Sequence, residues 1–225
     1  MKVPAMTTTH GSFNVLAKHR FLAILTALGL MALASSAIAG DIDLSVAAGR
    51  ADRPEGNGIA KVTLIEYSSP TCSHCVAYRT TVAPRINEEF VKTGKIRYLF
   101  RPFVRNNVDM AIFMLAEGQS AENYDQFVAS FYAHYDDLIN AQDLGQTLRS
   151  IAAENGLSDA EFDRLVANED TFQALRTLTD QATGDFDVQG TPSFFINGAK
   201  IVGGIPYEDM KARLDDAVAK ANEAD

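Results

Sequence analysis

Residues 62–75 read VTLIEYSSPTCSHC, and this stretch decides how the chain folds. Its first six residues, VTLIEY, are β-branched or apolar on both faces of a pleated strand, as a strand buried inside a parallel sheet requires. Ser68-Ser69-Pro70-Thr71 ends that strand, and a helix is predicted to begin around Cys72. Val76, Val82, Ile86 and Phe90 give the helix an apolar stripe, and Gly94 stops it. Pro84 lies inside the span and predicts a kink.

Working outward, residues 95–103 (KIRYLFRPF) alternate Ile96, Tyr98 and Phe100 with Lys95, Arg97, Leu99 and Arg101, a second strand. Residues 40–60 carry Gly, Asp, Pro and Asn without strong periodicity and read as a mostly irregular lead-in. From Asn107 to about Gly184 the signals are helical. Val108, Ala111, Ile112 and Leu115 recur at helical spacing, and Ser158-x-x-Glu161 is a capping box. Strand signals return in residues 193–196 (SFFI) and 200–202, joined through an Asn197-Gly198 turn, and Pro206 opens a last amphipathic helix. A strand–helix–strand unit demands a right-handed crossover and so a parallel pair, whereas the hairpin supplies antiparallel strands. The expected fold class is α/β: residues 61–225 form a mixed sheet with helices packed on it and a helical subdomain inserted at about 107–184.

The first 39 residues are expected to be a cleaved signal peptide. Lys18, His19 and Arg20 precede an apolar run, residues 21–34, too short to span a membrane, and Ala37-Ile38-Ala39 fits a signal-peptidase site. Removing this leader with its Lys2, Lys18 and Arg20 takes the formal net charge from −9 to −12. Phosphate backbones and anionic lipid heads repel so acidic a surface, which argues against a nucleic-acid partner.

The chain has 2 cysteines, spaced C-x-x-C, in a protein expected to reach an oxidising compartment. A disulfide-stapled secreted fold normally distributes four or more along the chain, and a domain of this size needs no staple. Cys72 falls where a strand ends and a helix begins, so free N–H groups and the helix dipole favour its thiolate. It would attack or be attacked, and Cys75, one turn further in, would resolve the mixed disulfide. Two other readings of the pair remain: a structural disulfide, whose very small loop stabilises little, and half of a zinc site, which lacks further ligands. His74, between the cysteines, either donates to the thiolate or is a plain exposed helix-start residue. Glu66, an acid in an apolar strand, is either buried beneath the cysteines to exchange a proton with Cys75 or faces solvent. Thr191-Pro192, before the SFFI strand, holds either a cis bond that offers a backbone edge to an extended substrate or an ordinary trans one. His134 reads as a helix-surface residue.

VTLIEYSSPTCSHC together with VQGTPSFFINGAKIVGG, residues 188–204, resembles the DsbA-like branch of the thioredoxin superfamily over most of the mature chain. The resemblance implies a thioredoxin-like fold and a periplasmic thiol–disulfide oxidoreductase. Cys72 would be its nucleophile, Cys75 the resolving thiol, Glu66 the buried acid and Pro192 the cis-proline. It also implies exported proteins with free thiols as clients, a DsbB-like membrane partner that reoxidises the pair, and no metal or cofactor. A reductase or isomerase, or a redox-silent chaperone, are the alternatives. Ser73 departs from the proline usual at that position in the oxidases, and Thr191 is also seen in isomerase-type relatives.

Overall fold

The computed structural model describes residue 44 and residues 46–223; the expected leader and its cleavage site lie outside the described residues. Thr63–Ser68 forms the central strand, β2 once Pro54–Gly56 is counted as β1. Its flanking partners are β3 (Arg97–Pro102), which runs parallel to it, and β4 (Ser193–Ile196), which runs antiparallel. With β5 (Ala199–Val202) the order is β1-β3-β2-β4-β5, the mixed sheet that the sequence predicts. The hairpin turn uses Asn197 and Gly198 at φ of 46° and 88°, the doubly left-handed geometry that matches the twist of the strands it joins.

The crossover from β2 to β3 starts with α1 (Ser73–Thr81). Pro84 has no N–H to continue that helix, so the chain breaks at Val82 and restarts as α2 (Ala83–Ile86). A π-helical stretch, Asn87–Val91, follows, and the chain leaves it through Gly94 at φ 72°. The kink and the stop thus fall where the sequence puts them.

Between β3 and β4 lie α3 (Asn107–Glu117), α4 (Ala121–Ala133), α5 (Tyr135–Ile139), α6 (Leu144–Glu154), α7 (Asp159–Val166) and α8 (Glu169–Gly184). The capping box forms as predicted: the Glu161 N–H donates to Ser158 Oγ, and the Ser158 N–H donates back to the Glu161 carboxylate. The last helix, α9 (Tyr207–Glu223), buries Tyr207, Met210 and Leu214. Residues alternate across the pleat, so the sheet carries a core on each face. Leu64 and Phe194 belong to the larger cluster with α1, α3, α4 and α9, whereas Ile65, Tyr67 and Phe195 join Phe186 and Val188 on the other side.

The structure departs from the sequence reading at two places. Residues 54–56, placed in the irregular lead-in, form β1 and cover the edge of β3. Arg101, on the charged side of the β3 alternation, is fully buried. Its guanidinium donates to Asp52 at 2.9 and 2.6 Å, to Tyr67 Oη at 2.9 Å and to the Leu44 carbonyl at 2.6 Å. Alternation marks two faces of a strand but not which of them meets water. A buried guanidinium is tolerable only because each partner answers it.

Arg101 thereby ties the segment before β1 to the sheet. Replacing it with alanine strands Asp52 and Tyr67, so Arg101→Ala is expected to lower the unfolding free energy by about 3 kcal/mol. Urea denaturation measures this, and a change below about 0.5 kcal/mol, the size of an ordinary surface substitution, would contradict the anchoring role.

Candidate active site

The loop between β2 and α1 is held from below by one carboxylate. Asp109, in the first turn of α3, accepts from Ser69 Oγ at 2.8 Å, from the Thr71 N–H at 3.2 Å and from the Arg105 N–H at 3.0 Å. Asn106 caps the same helix and donates from Nδ2 to Thr71 Oγ1 at 2.8 Å. Burial pushes the Asp109 carboxyl up, against the pull of these donors. Sequence reading passed over Asp109; the available signal was an acid three residues after a capping asparagine.

Fixed in this way, Cys72 becomes the N-cap of α1, at φ −102° and ψ 116°, and its carbonyl accepts from the Val76 N–H at 3.0 Å. Cys72 and Cys75 are both free and both buried. The Cys72 thiol is lowered to about 4, first by the hydrogen bond that the Cys75 thiol donates. Burial opposes the shift. The Thr191 hydroxyl and the backbone N–H groups of Cys75 and His74 add to it. In its thiol form Cys72 donates to the Thr191 carbonyl 3.2 Å away, a bond that ionisation gives up, so the donors outweigh that loss. Thr191 Oγ1 is itself enclosed and has no hydrogen-bond partner, so its dipole is free to face the sulfurs beside it.

Cys75 is driven the opposite way. Burial raises it and its bond to the ionised Cys72 raises it further, while the hydroxyls of Ser68 and Thr191 and the Ser69 N–H pull against both. One sulfur of the pair is built to be an anion and the other to keep its proton.

The remaining predicted residues divide. The Thr191–Pro192 peptide is cis, and Thr191 lies against both sulfurs. Beside Pro192, a Cβ placed on Gly204 would lie 3.7 Å from the His74 carbonyl and 4.0 Å from Pro192 Cγ, so the β5–α9 loop borders the site closely. His74 is exposed and acts on Cys72 through its backbone N–H. Glu66 is fully buried, but its carboxylate turns to Tyr98, which donates to it at 2.6 Å, and to Arg79 at 3.7 Å. Arg79 also donates to Tyr98 Oη at 2.9 Å and lies over the rings of Phe100 and Tyr132. Sequence reading missed Arg79, although it falls one helical turn after Cys75. A cation at that spacing, opposite a buried strand acid, was the legible clue.

A mixed sheet whose central strand feeds a helix-capping Cys-x-x-Cys, faced by a cis-proline loop, defines a thioredoxin-fold dithiol protein. The chain belongs to the thioredoxin family, whose profile it matches over residues 50–216, and it is DsbA-like within that superfamily. Among similar proteins, a protein-disulfide oxidoreductase of Rickettsia bellii is 27 % identical over 173 residues, 74 % of this chain and 64 % of that protein. Disulfide bond formation protein D of Bacillus anthracis is 25 % identical over 176 residues, 73 % of this chain and 77 % of that one. The crystal structure of Wolbachia pipientis alpha-DsbA1 superposes with a TM-score of 0.71 at 26 % identity, covering 77 % of this chain and 94 % of its own. The chain thus spans less than two thirds of the length of the Rickettsia relative.

Two outcomes follow from the unequal sulfurs. Thr191→Val removes a donor that has no other bond to lose, so the Cys72 thiolate is less favoured and the pair holds its disulfide more tightly. A loss of about one pKa unit corresponds to about 1.36 kcal/mol, or about 30 mV toward a more reducing potential in equilibrium with glutathione. An unchanged potential would contradict the hydroxyl's role. The second concerns pH. A thiol whose pKa is depressed in the native state adds stability that grows as pH rises from the folded value, is complete above the unfolded value, and is lost as pH falls back through the folded one. The reduced protein is therefore expected to gain thermal stability relative to the oxidised one as pH rises from about 4 to about 8. A pH-independent difference between the two melting temperatures would contradict the shift.

Proposed function

We propose that this chain is an exported thiol–disulfide oxidase that gives its Cys72–Cys75 disulfide to proteins crossing into the periplasm. The observation that carries the proposal is the opposite treatment of the two sulfurs, with donors gathered on Cys72 and burial imposed on Cys75. Stabilising the Cys72 thiolate stabilises the reduced pair, and a stabilised reduced form makes the disulfide a stronger oxidant. The relative named for disulfide bond formation supports the same direction, and the one named a protein-disulfide oxidoreductase supports the chemistry.

The chemistry runs in two exchanges. A client thiolate attacks Cys72 Sγ, the Cys72–Cys75 bond breaks, and Cys75 leaves with the electron pair and then takes up a proton. A second client thiolate attacks the client sulfur of the mixed disulfide and expels Cys72 as its stable thiolate. The client is oxidised by two electrons and the pair is reduced by two. The loop before Pro192 offers backbone groups to an extended client, and exposed His74 adds positive charge near Cys72 when protonated. A DsbB-like membrane partner restores the disulfide, and no bound cofactor takes part. Glu66 is retained here as the buried acid, with the Arg79 guanidinium 3.7 Å from its carboxylate.

Oxidation of a reduced two-cysteine peptide by the purified protein, with the potential of its own pair read against glutathione, tests this. Fast oxidation and a potential near about −120 mV, that of DsbA, is the expected result. A potential near about −270 mV, that of thioredoxin, would make the protein a reductase. Binding of the peptide without turnover would leave a chaperone. In a periplasmic extract Cys75→Ala is expected to accumulate mixed disulfides with client proteins, because the escape thiol is gone, whereas Cys72→Ser forms none. If Cys75→Ala traps nothing, the two roles are wrongly assigned.

A further inference from the structure

Cys75 has no exposed surface, yet the exchange requires it to gain a proton each time its disulfide opens and to lose one each time it closes. The proton has to pass through protein. Three side chains that can carry a proton face this sulfur, besides the Ser69 N–H: the thiol of Cys72, the hydroxyl of Thr191 and the hydroxyl of Ser68. The first two point back into the site. Ser68, at the end of β2, leads away from it. It is fully buried, and its Oγ accepts a 2.8 Å hydrogen bond from Tyr132 Oη on α4.

Tyr132 forms part of the wall of a cavity of about 300 Å³ between α1, α2, α4 and the β1–β3 edge. Exposed Thr80, Pro84, Ala129 and Ala133 stand at its rim, so water reaches it. Glu55 and Asp125 also line it and share a hydrogen bond. Burial first, and then the charge of Asp125, pushes Glu55 up to about 7, with Arg79 opposing. The charged groups facing Tyr132 are Glu66 and Arg79, and those facing the acid pair are Arg79, Glu66, Arg53 and Arg50. Glu66 accepts from Tyr98 with Oε2, 3.7 Å from Arg79, and its Oε1 is buried without a hydrogen-bond partner; no hydrogen bond joins it to Cys75.

We propose that Tyr132 and Ser68 form a two-hydroxyl line that delivers a proton from this cavity to Cys75. The inference rests on the dithiol exchange proposed above. When the disulfide opens, the leaving Cys75 thiolate takes the Ser68 hydroxyl proton, and Ser68 takes the proton of Tyr132. Tyr132 is reprotonated by a cavity water, which in turn takes the proton shared by Glu55 and Asp125. The acid pair refills from bulk solvent. The outer bond of the line already points inward, since Tyr132 donates to Ser68, and the Ser68 hydroxyl lies beside Cys75 to pass its proton on. Closing the disulfide runs the same transfers backward. Tyr132 and Ser68 are thus positioning residues for the resolving sulfur, acting on its proton and not on the client.

The test mixes oxidised full-length protein with reduced glutathione, quenches with acid and follows the glutathione adduct by mass, in light and heavy water at matched thiolate concentration. The wild type is expected to react fast and to slow in heavy water. Tyr132→Phe, which keeps the ring packed, and Ser68→Ala are each expected to slow adduct formation about tenfold, equivalent to about 1.4 kcal/mol, and to lose the solvent isotope effect. The double variant should be no slower than the slower single, as residues in series require. Glu55→Gln should remove the pH dependence of the rate near neutrality. A Tyr132→Phe protein with wild-type rate and isotope effect would overturn the line while leaving the exchange intact. A wild type no faster than glutathione with a simple disulfide would overturn both.

Discussion

An anion at a protein surface loop is held only if enough donors converge on it, and a sulfur anion beside a second sulfur must take those donors from several parts of the chain. At Cys72 they come from the neighbouring thiol, from the first N–H groups of α1 and from Thr191, which is 119 residues further along. The sheet makes this convergence possible. β2 delivers the cysteines to its end, β4 pairs antiparallel beside it, and the loop entering β4 therefore arrives at the same end. The long helical insertion between them changes the sequence distance and not the spatial one.

The same requirement explains why charges are buried where an apolar core would be simpler. Asp109 pins the loop before Cys72, Arg79 answers Glu66 beneath α1, and Arg101 fastens the lead-in to β3. Each is costly alone and tolerable with its partner, so each is a place where the fold fixes one arrangement. Asp109 and Arg79 thereby brace the loop and the helix that carry the dithiol, and Arg101 braces the opposite face of the sheet. A site that must distinguish two sulfurs a helical turn apart depends on that rigidity.

Much of this was legible in the amino-acid sequence because the signals are local. Strand β2 shows in VTLIEY, the break in the crossover helix in Pro84, the hairpin in Asn197-Gly198, and the helical block in its periodicity and its capping box. The cysteine pair shows in its spacing. What stayed hidden are partnerships over distance. Alternation along β3 gives no sign that Arg101 points into a core, and β1 is too short and too glycine-rich to be seen without the strand it covers. Glu66 was recognisable as an unusual acid, but its partners, Tyr98 and Arg79, come from other elements of the fold. Ser68 reads as the end of a strand, and nothing local shows that Tyr132, 64 positions away, donates to it.

The central claim is that Cys72 stays ionised far below the pH at which a free thiol ionises. Alkylating the reduced protein with iodoacetamide across pH 3 to 10, and following the Cys72 adduct by mass, reads this ionisation directly. The rate should reach half its plateau near pH 4. A rate that stays low until the pH approaches about 8.5, the behaviour of an unperturbed cysteine, would contradict the account.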